Sequence, residues 1–208
     1  MCGRYVLSMG LHRVTEDFHV EEVEGECGAG DISPGQQVVA VVRHDRNRLV
    51  NFRWGLIPSW AKDPAIGRKM FNARAETVAE KPSFRSAFRD RRCLVIAEGF
   101  YEWQKLGKAK RQMLIRLKSG RPFGFAGLYE TWASPAGETV RSCTIITTEA
   151  NELIRPVHDR MPVILTARDE EAWLAPGNRD LKALLAMLRP YPAEEMEMEE
   201  VRPGRAER

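Results

Sequence analysis

Residues 92–104 read RCLVIAEGFYEWQ, and their pattern decides the fold class. The first half is an unbroken apolar run, as in a strand buried on both faces, and the second half alternates with period two. Gly99 interrupts the stretch, so it predicts a strand broken at one point. Working outward, QVVAVVR (37–43) and RLVNFRW (48–54) flank the polar HDRN and predict a hairpin. RQMLIRLK (111–118), PFGFAGLYE (122–130), VRSCTIITT (140–148) and PVILT (162–166) supply four further strands. Helices are fewer. Leu11, Val14 and Phe18 share one helical face, and Ser83 is the expected N-cap of a helix carrying Phe84 and Phe88. Thr166 and Asp169 form a capping box before a helix reaching Trp173, and Asp180 caps LKALLAMLR. Strands outnumber helices without βαβ alternation, which gives an α+β fold around a mainly antiparallel, barrel-like sheet. The expectation is a single domain over residues 2–192 and a disordered tail over residues 193–208, acidic and then basic.

The 208 residues are 43% hydrophobic and 29% charged, an ordinary globular mixture with a formal charge of +3. That charge neither demands nor forbids a nucleic-acid partner, because its arrangement decides. The four cysteines (Cys2, Cys27, Cys93, Cys143) show no C-x-x-C pair and no zinc spacing, so neither metal nor cofactor is expected. Cys93 and Cys143 lie in apolar runs and read as inert core. With no secretory segment and no apolar run of about 18 residues, the chain reads as soluble and intracellular, without a membrane partner.

Polar groups set among apolar or aromatic neighbours are the candidates for chemistry. Cys2 follows the initiator methionine. If Met1 is clipped, it presents an α-amine and a thiol on adjacent carbons, with reference pKa values of about 8 and about 8.5. Such an aminothiol forms an imine with an aldehyde and closes on it as a five-membered thiazolidine; a chance cysteine at a frayed terminus is the competing reading. In EGFYEWQ, alternation puts Glu98, Phe100 and Glu102 on one face, opposite Tyr101 and Trp103. A carboxylate buried there has a raised pKa suited to acid–base work, while a salt-bridged surface glutamate fits the pattern equally. His158, in RPVHDRMPVIL, stands at a strand entrance, where a structural histidine is as common as a functional one. Asn72, Arg74 and Glu76 alternate in FNARAET, an arrangement suited to a phosphate or to a surface ion-pair row. Trp54 and Trp60 in RWGLIPSW, beside Arg53 and Lys62, suit base stacking or a core. His12, His19 and His44 read as surface groups.

Taken in order, MCGRY, RWGLIPSW, NARAET, RRCLVIAEGFYEW, FAGLYE and PVHDRMPVIL resemble the SOS response-associated peptidase (SRAP) family from Met1 to about Leu165. That resemblance implies a barrel-like α+β domain that binds single-stranded DNA and captures abasic sites. The processed Cys2 would form a thiazolidine crosslink with the ring-opened sugar, with AP-lyase chemistry and self-removal of Met1 as accompanying activities. By matching motifs, Cys2, Asn72, Glu102 and His158 are the catalytic set. Arg4, Trp60, Arg74, Thr147 and Arg160 are the DNA contacts, Thr147 placed only by its spacing to His158. A cytoplasmic monomer, nucleoid-associated on DNA, is expected. Two departures stand out: Asp31-Ile32-Ser33-Pro34 where the family often reads N-[IV]-A-P, and IAEG in place of P-A-D-G. Two other classes remain open. One is a cysteine peptidase or N-terminal-nucleophile amidohydrolase with Cys2 as thiolate and His158 as base. The other is a non-catalytic DNA-binding module.

Overall fold

The computed structural model describes residues 2–26, 28, 30–107 and 109–201. In chain order, the first half comprises β1 (Tyr5–Leu7), α1 (Leu11–Asp17), β2 (Glu22–Val23), β3 (Gly30–Ile32), β4 (Gln37–Arg43), β5 (Asn47–Trp54), β6 (Asn72–Arg74) and α2 (Arg85–Asp90). There follow β7 (Arg92–Ala97), β8 (Gly99–Leu106), β9 (Ala109–Leu117), β10 (Phe123–Ala133), β11 (Thr139–Glu149), β12 (Arg160–Pro162), α3 (Ala167–Leu174), α4 (Leu181–Ala186) and β13 (Met196–Val201). Cys27 and Ala29, in the glycine-rich stretch EGECGAGDISPGQ (24–36) before β4, lie outside the described residues.

The sheet order β11–β10–β7–β4–β5 closes on itself where β5 pairs in parallel with β11, Arg53 opposite Ser142 and Trp54 opposite Cys143. Closure makes a five-stranded barrel, otherwise antiparallel, and removes its edges. A second sheet, β13–β9–β8–β1–β3, packs against it. Aromatic contacts join the two: Tyr5 meets Trp54 at 5.3 Å and Phe125 at 5.8 Å between ring centroids, and Phe100 meets Phe125 at 6.0 Å. The expected α+β, barrel-like architecture is the observed one.

Gly99 marks the chain's transfer between sheets. Ala97 still pairs with Phe123 in the barrel, whereas Gly99 pairs with Val6 and Arg116 in the second sheet. A Cβ at Gly99 would lie 2.8 Å from Arg116 Cγ and 2.9 Å from the Ile115 carbonyl oxygen, so only glycine fits. Glu98, at the transfer point, accepts the backbone N–H groups of Ser8 and Met9. β7 is buried along its whole length, as its apolar run requires.

The hairpin forms from β4 and β5, and the helix caps at Thr166 and Asp180 are both made, accepting from Asp169 N–H at 3.2 Å and Ala183 N–H at 3.0 Å. Three local expectations are corrected. Ser83 does not cap α2; the Phe84 and Arg85 N–H groups bond the Lys81 carbonyl, so a turn already satisfies the helix start. The strand expected at PVILT lies upstream at Arg160–Pro162, leaving only a bridge from Ile164 to Phe125. Residues 196–201 of the expected disordered tail form β13, along β9. Their acidity misleads because it alternates with Met196 and Met198, which face the core, while Glu199 and Glu200 approach Arg116 and Arg111 at 3.7 and 3.2 Å. Residues 202–208 lie outside the described set.

Behind the barrel, Glu170 of α3 accepts the Gly124 N–H at 3.1 Å, and burial pushes its carboxyl up to about 7. Because the folded pKa exceeds the ordinary value of about 4.3, the folded state holds a proton that the unfolded chain releases. That contribution is complete below about pH 4 and is lost as pH rises to about 7. Glu170→Gln keeps the acceptor and removes the titration. Its melting temperature should lose this pH dependence, with a gain of about 1–3 kcal/mol over wild type at alkaline relative to acidic pH. Thermal melts from pH 4 to 9 check this.

Candidate active site

The amino-terminal segment is pinned between the two sheets. Tyr101 N–H bonds the Arg4 carbonyl at 2.9 Å, and the antiparallel register Tyr5 opposite Phe100 carries the chain back toward Glu102. Cys2 is fully buried. Its carbonyl accepts from Asn72 Nδ2 at 2.8 Å, and its Sγ reaches the Arg4 carbonyl oxygen at 3.9 Å. The Asn72 amide orientation follows from chemistry, since a carbonyl can only accept. Asn72 Oδ1 is buried with no hydrogen-bond partner among the described residues, leaving an acceptor beside the Cys2 backbone.

Asn72 is held there by the barrel. β6 lies parallel to β11, with Asn72 opposite Ile145 and Arg74 opposite Thr147. The preceding Phe71 carbonyl accepts the Trp54 indole N–H at 2.8 Å, and Trp54 packs on Tyr5. The same core thus fixes both the Cys2 segment and the residue that grips it.

Glu102 is buried, and desolvation raises its carboxyl pKa, the charge on His158 partly offsetting the rise. Burial also pushes the Cys2 thiol up, and the nearby Glu102 carboxylate adds to that rise. Cys2, Asn72, Glu102 and His158 therefore form one connected group, joined by a hydrogen bond at one end and by through-space charge at the other. His158 Nδ1 lies 2.9 Å from the Arg160 N–H and 2.8 Å from Asp159 Oδ1. One nitrogen cannot accept and donate at once. Nδ1 therefore stands between a donor, the Arg160 N–H, and an acceptor, the Asp159 carboxylate.

The five expected DNA contacts separate into kinds. Arg74 is exposed and makes no ion pair among the described residues. Trp60 is 59% exposed over an open hollow of about 360 Å³ that also includes Lys62, Ile66 and Lys69. Trp54, the other tryptophan of that motif, is core. The Arg4 side chain is 39% exposed, ion-paired to Asp31 at 2.5 Å and lying over the Tyr101 ring. Arg160, only 16% exposed, pairs with Glu76 at 2.5 and 3.0 Å and donates to the Thr147 carbonyl at 2.6 Å. Thr147 is fully buried, its hydroxyl directed to the Ala73 carbonyl at 3.4 Å. Thr147 thus lies beneath β6, opposite Arg74.

Sequence reasoning named Asp31 only as a departure from the family pattern and Tyr101 only by its strand face, and joined neither to Arg4. Tyr101 OH donates to Asp31 Oδ1 at 2.9 Å, which completes a cluster around Arg4. The acidic substitution at Asp31 was the available signal. Glu98, an acid on the same face as Glu102, is committed to the Ser8 and Met9 amides. Cys93 and Cys143 are buried core thiols, both pushed up by desolvation. Among the described residues no group of three His, Cys, Asp or Glu side chains could hold a metal, and no helix is long and apolar enough to cross a membrane.

Cys2 is held by Asn72 of the NAR strand on a five-stranded barrel, and the SOS response associated peptidase (SRAP) family model matches residues 1–204. The chain belongs to that family. Among its relatives, Abasic site processing protein YoqW of Bacillus subtilis (strain 168) is 48% identical over 206 residues, covering 97% of this chain and 92% of the relative. Abasic site processing protein HMCES of Gallus gallus is 31% identical, covering 91% of this chain and 70% of the relative. A crystal structure of a Bacteroides thetaiotaomicron protein, 29% identical, superposes with a TM-score of 0.89 over 97% of this chain and 92% of that one.

Proposed function

We propose that this protein processes abasic sites by capturing them covalently in single-stranded DNA through the α-amine and thiol of Cys2, once Met1 is removed. The observation that carries the reading is the anchored Cys2: a buried cysteine that loss of Met1 would turn into an aminothiol, its carbonyl gripped by Asn72 at 2.8 Å, within the electrostatic reach of Glu102. The names of the relatives support the substrate class.

The steps balance without a cofactor. The Cys2 amine adds to the ring-opened sugar aldehyde, and the carbinolamine loses water to give an imine. The thiol then adds across C=N, forming the S–C bond while its proton passes to nitrogen. One water is lost in total. Glu102, its pKa raised by burial, supplies the proton that ejects water and, then a carboxylate, relays the thiol proton to nitrogen in ring closure. His158 exchanges protons with solvent, and Asn72 orients the residue that reacts. The imine also permits β-elimination of the 3′ phosphate, so thiol closure competes with strand cleavage. A cysteine-peptidase reading fits less well, because burial and Glu102 both disfavour the resting thiolate that such a nucleophile needs.

Intact-mass spectrometry tests the proposal. The purified protein is expected to lack Met1 and to gain the mass of an abasic single-stranded oligonucleotide minus water. Methionine retained in crosslinking protein would end the aminothiol mechanism.

Arg74, exposed and without an ion pair among the described residues, lies beside Asn72 and suits a phosphate flanking the lesion. Arg74→Ala is expected to weaken single-strand binding and to flatten its log–log salt dependence by about 0.7, the contribution of one neutralised phosphate. A salt titration by fluorescence anisotropy measures it, and an unchanged slope would assign Arg74 a different role.

A further inference from the structure

The cluster around Arg4 contains an anion of the protein's own. Asp31, on β3, crosses β1 to reach the Arg4 guanidinium at 2.5 Å, while its other carboxylate oxygen accepts the Tyr101 hydroxyl at 2.9 Å. Tyr101, on β8, lies on the far side of β1 and puts its ring under the same guanidinium, 5.3 Å from ring centroid to Arg4 Cζ. Three adjacent strands thus hold one cation between an aromatic face and a carboxylate. The side chains of Arg4 and Asp31 are both more than a third exposed, at 39% and 38%, so a nucleic-acid phosphate can reach the same guanidinium.

We propose that Asp31 is a built-in competitor for the phosphate at Arg4, and that it restrains non-covalent binding of single-stranded DNA. The inference rests on the single-strand reading given above. Its physical content is a charge count. A phosphate approaching Arg4 meets a guanidinium whose charge Asp31 already neutralises in large part. It must displace the carboxylate or share the cation with it, and in either case fewer DNA counterions are released per contact. Among the described residues the groups that hold Asp31 are Arg4 and Tyr101, and Tyr101 is a neutral donor. The carboxylate therefore spends its charge on Arg4. Because the captured product is held by a covalent bond, this restraint falls on strands that are bound but not crosslinked, and it lets the protein leave undamaged DNA.

The test is a salt titration of undamaged single-stranded oligonucleotide binding by wild type, Asp31→Asn, Arg4→Ala and the double variant. Asp31→Asn keeps the shape and an acceptor for Tyr101 while removing the charge. It is expected to bind more tightly and to steepen the salt slope by about 0.7, so that its advantage grows about 2.6-fold from 200 to 50 mM salt. In the Arg4→Ala background the same substitution should change the slope little. Asp31→Ala, which leaves no amide for Arg4 or Tyr101, should also bind more tightly and guards against a compensating contact by the asparagine. Weaker binding in both Asp31 variants would make Asp31 a strut that aims Arg4, and would overturn the proposal. Equal gains with and without Arg4 would reduce it to bulk charge and overturn it as well. Wild-type protein that binds no single-stranded DNA at any salt would instead remove the functional reading on which it rests.

Discussion

Cys2→Ser is expected to reduce the durable crosslink to background while leaving a borohydride-trappable imine. The serine variant keeps the α-amine, so the aldehyde can still be captured as an imine. What it loses is the thiol whose addition across C=N closes the thiazolidine. Its captured strand should therefore be released by hydrolysis or cut by β-elimination. The two activities should move in opposite directions: stable adduct falls, and strand cleavage per imine formed rises. Cys2 is fully buried beneath its anchored carbonyl, so the hydroxyl has a desolvation cost of about 1–3 kcal/mol, small enough for a domain of this size to fold. Gel analysis with and without borohydride, alongside circular dichroism, gives the result. A serine variant that crosslinks as durably as wild type would exclude the thiol from the product.

Glu102→Gln should slow crosslinking by roughly 10²–10⁴-fold, the usual contribution of a positioned acid–base group. Glutamine is nearly isosteric and keeps one acceptor, so the buried site retains its shape and the loss falls on the proton. The pH profile separates a catalytic role from a structural one. Burial raises the Glu102 pKa, which enlarges the protonated fraction near neutrality and shrinks it as pH rises. The reactive amine does the opposite, becoming unprotonated as pH approaches about 8. In wild type the two trends oppose one another and flatten the rate between the two pKa values. In Glu102→Gln the amine trend is no longer opposed by Glu102, and the rate should keep climbing across that window. A folded variant with the wild-type rate and profile would show that Glu102 does not move the proton.

Much of this protein is legible because it is local. The hairpin of β4 and β5, the caps at Thr166 and Asp180, and the buried run of β7 each depend on residues within one or two turns or strands. Short-range periodicity carries such information directly. The catalytic candidates were legible for a related reason: Cys2, Asn72, Glu102 and His158 are polar groups in surroundings that would otherwise be apolar, and their motifs match one family. Ser83 shows where local reading fails even over short range, since the Lys81 carbonyl had already met the helix's need.

What only the tertiary structure decided concerns pairs far apart in the chain. Gly99 is a visible break, but its purpose appears only when Arg116 and the Ile115 carbonyl fill the space a Cβ would need. Residues 196–201 read as a solvated acidic tail until the edge of β9 offers them backbone partners and the core takes Met196. That Thr147 is buried beneath β6 and Arg160 is tied to Glu76 was likewise not legible, because burial and ion pairing are set by what the barrel packs against each side chain. The sequence by itself marked the candidate groups for the proposed chemistry and placed the strands β4, β5 and β7 to β11. The closing of the barrel determined which of those groups face Cys2, which face outward, and that Asp31 meets Arg4, since each of these depends on contacts between strands that no spacing along the chain encodes.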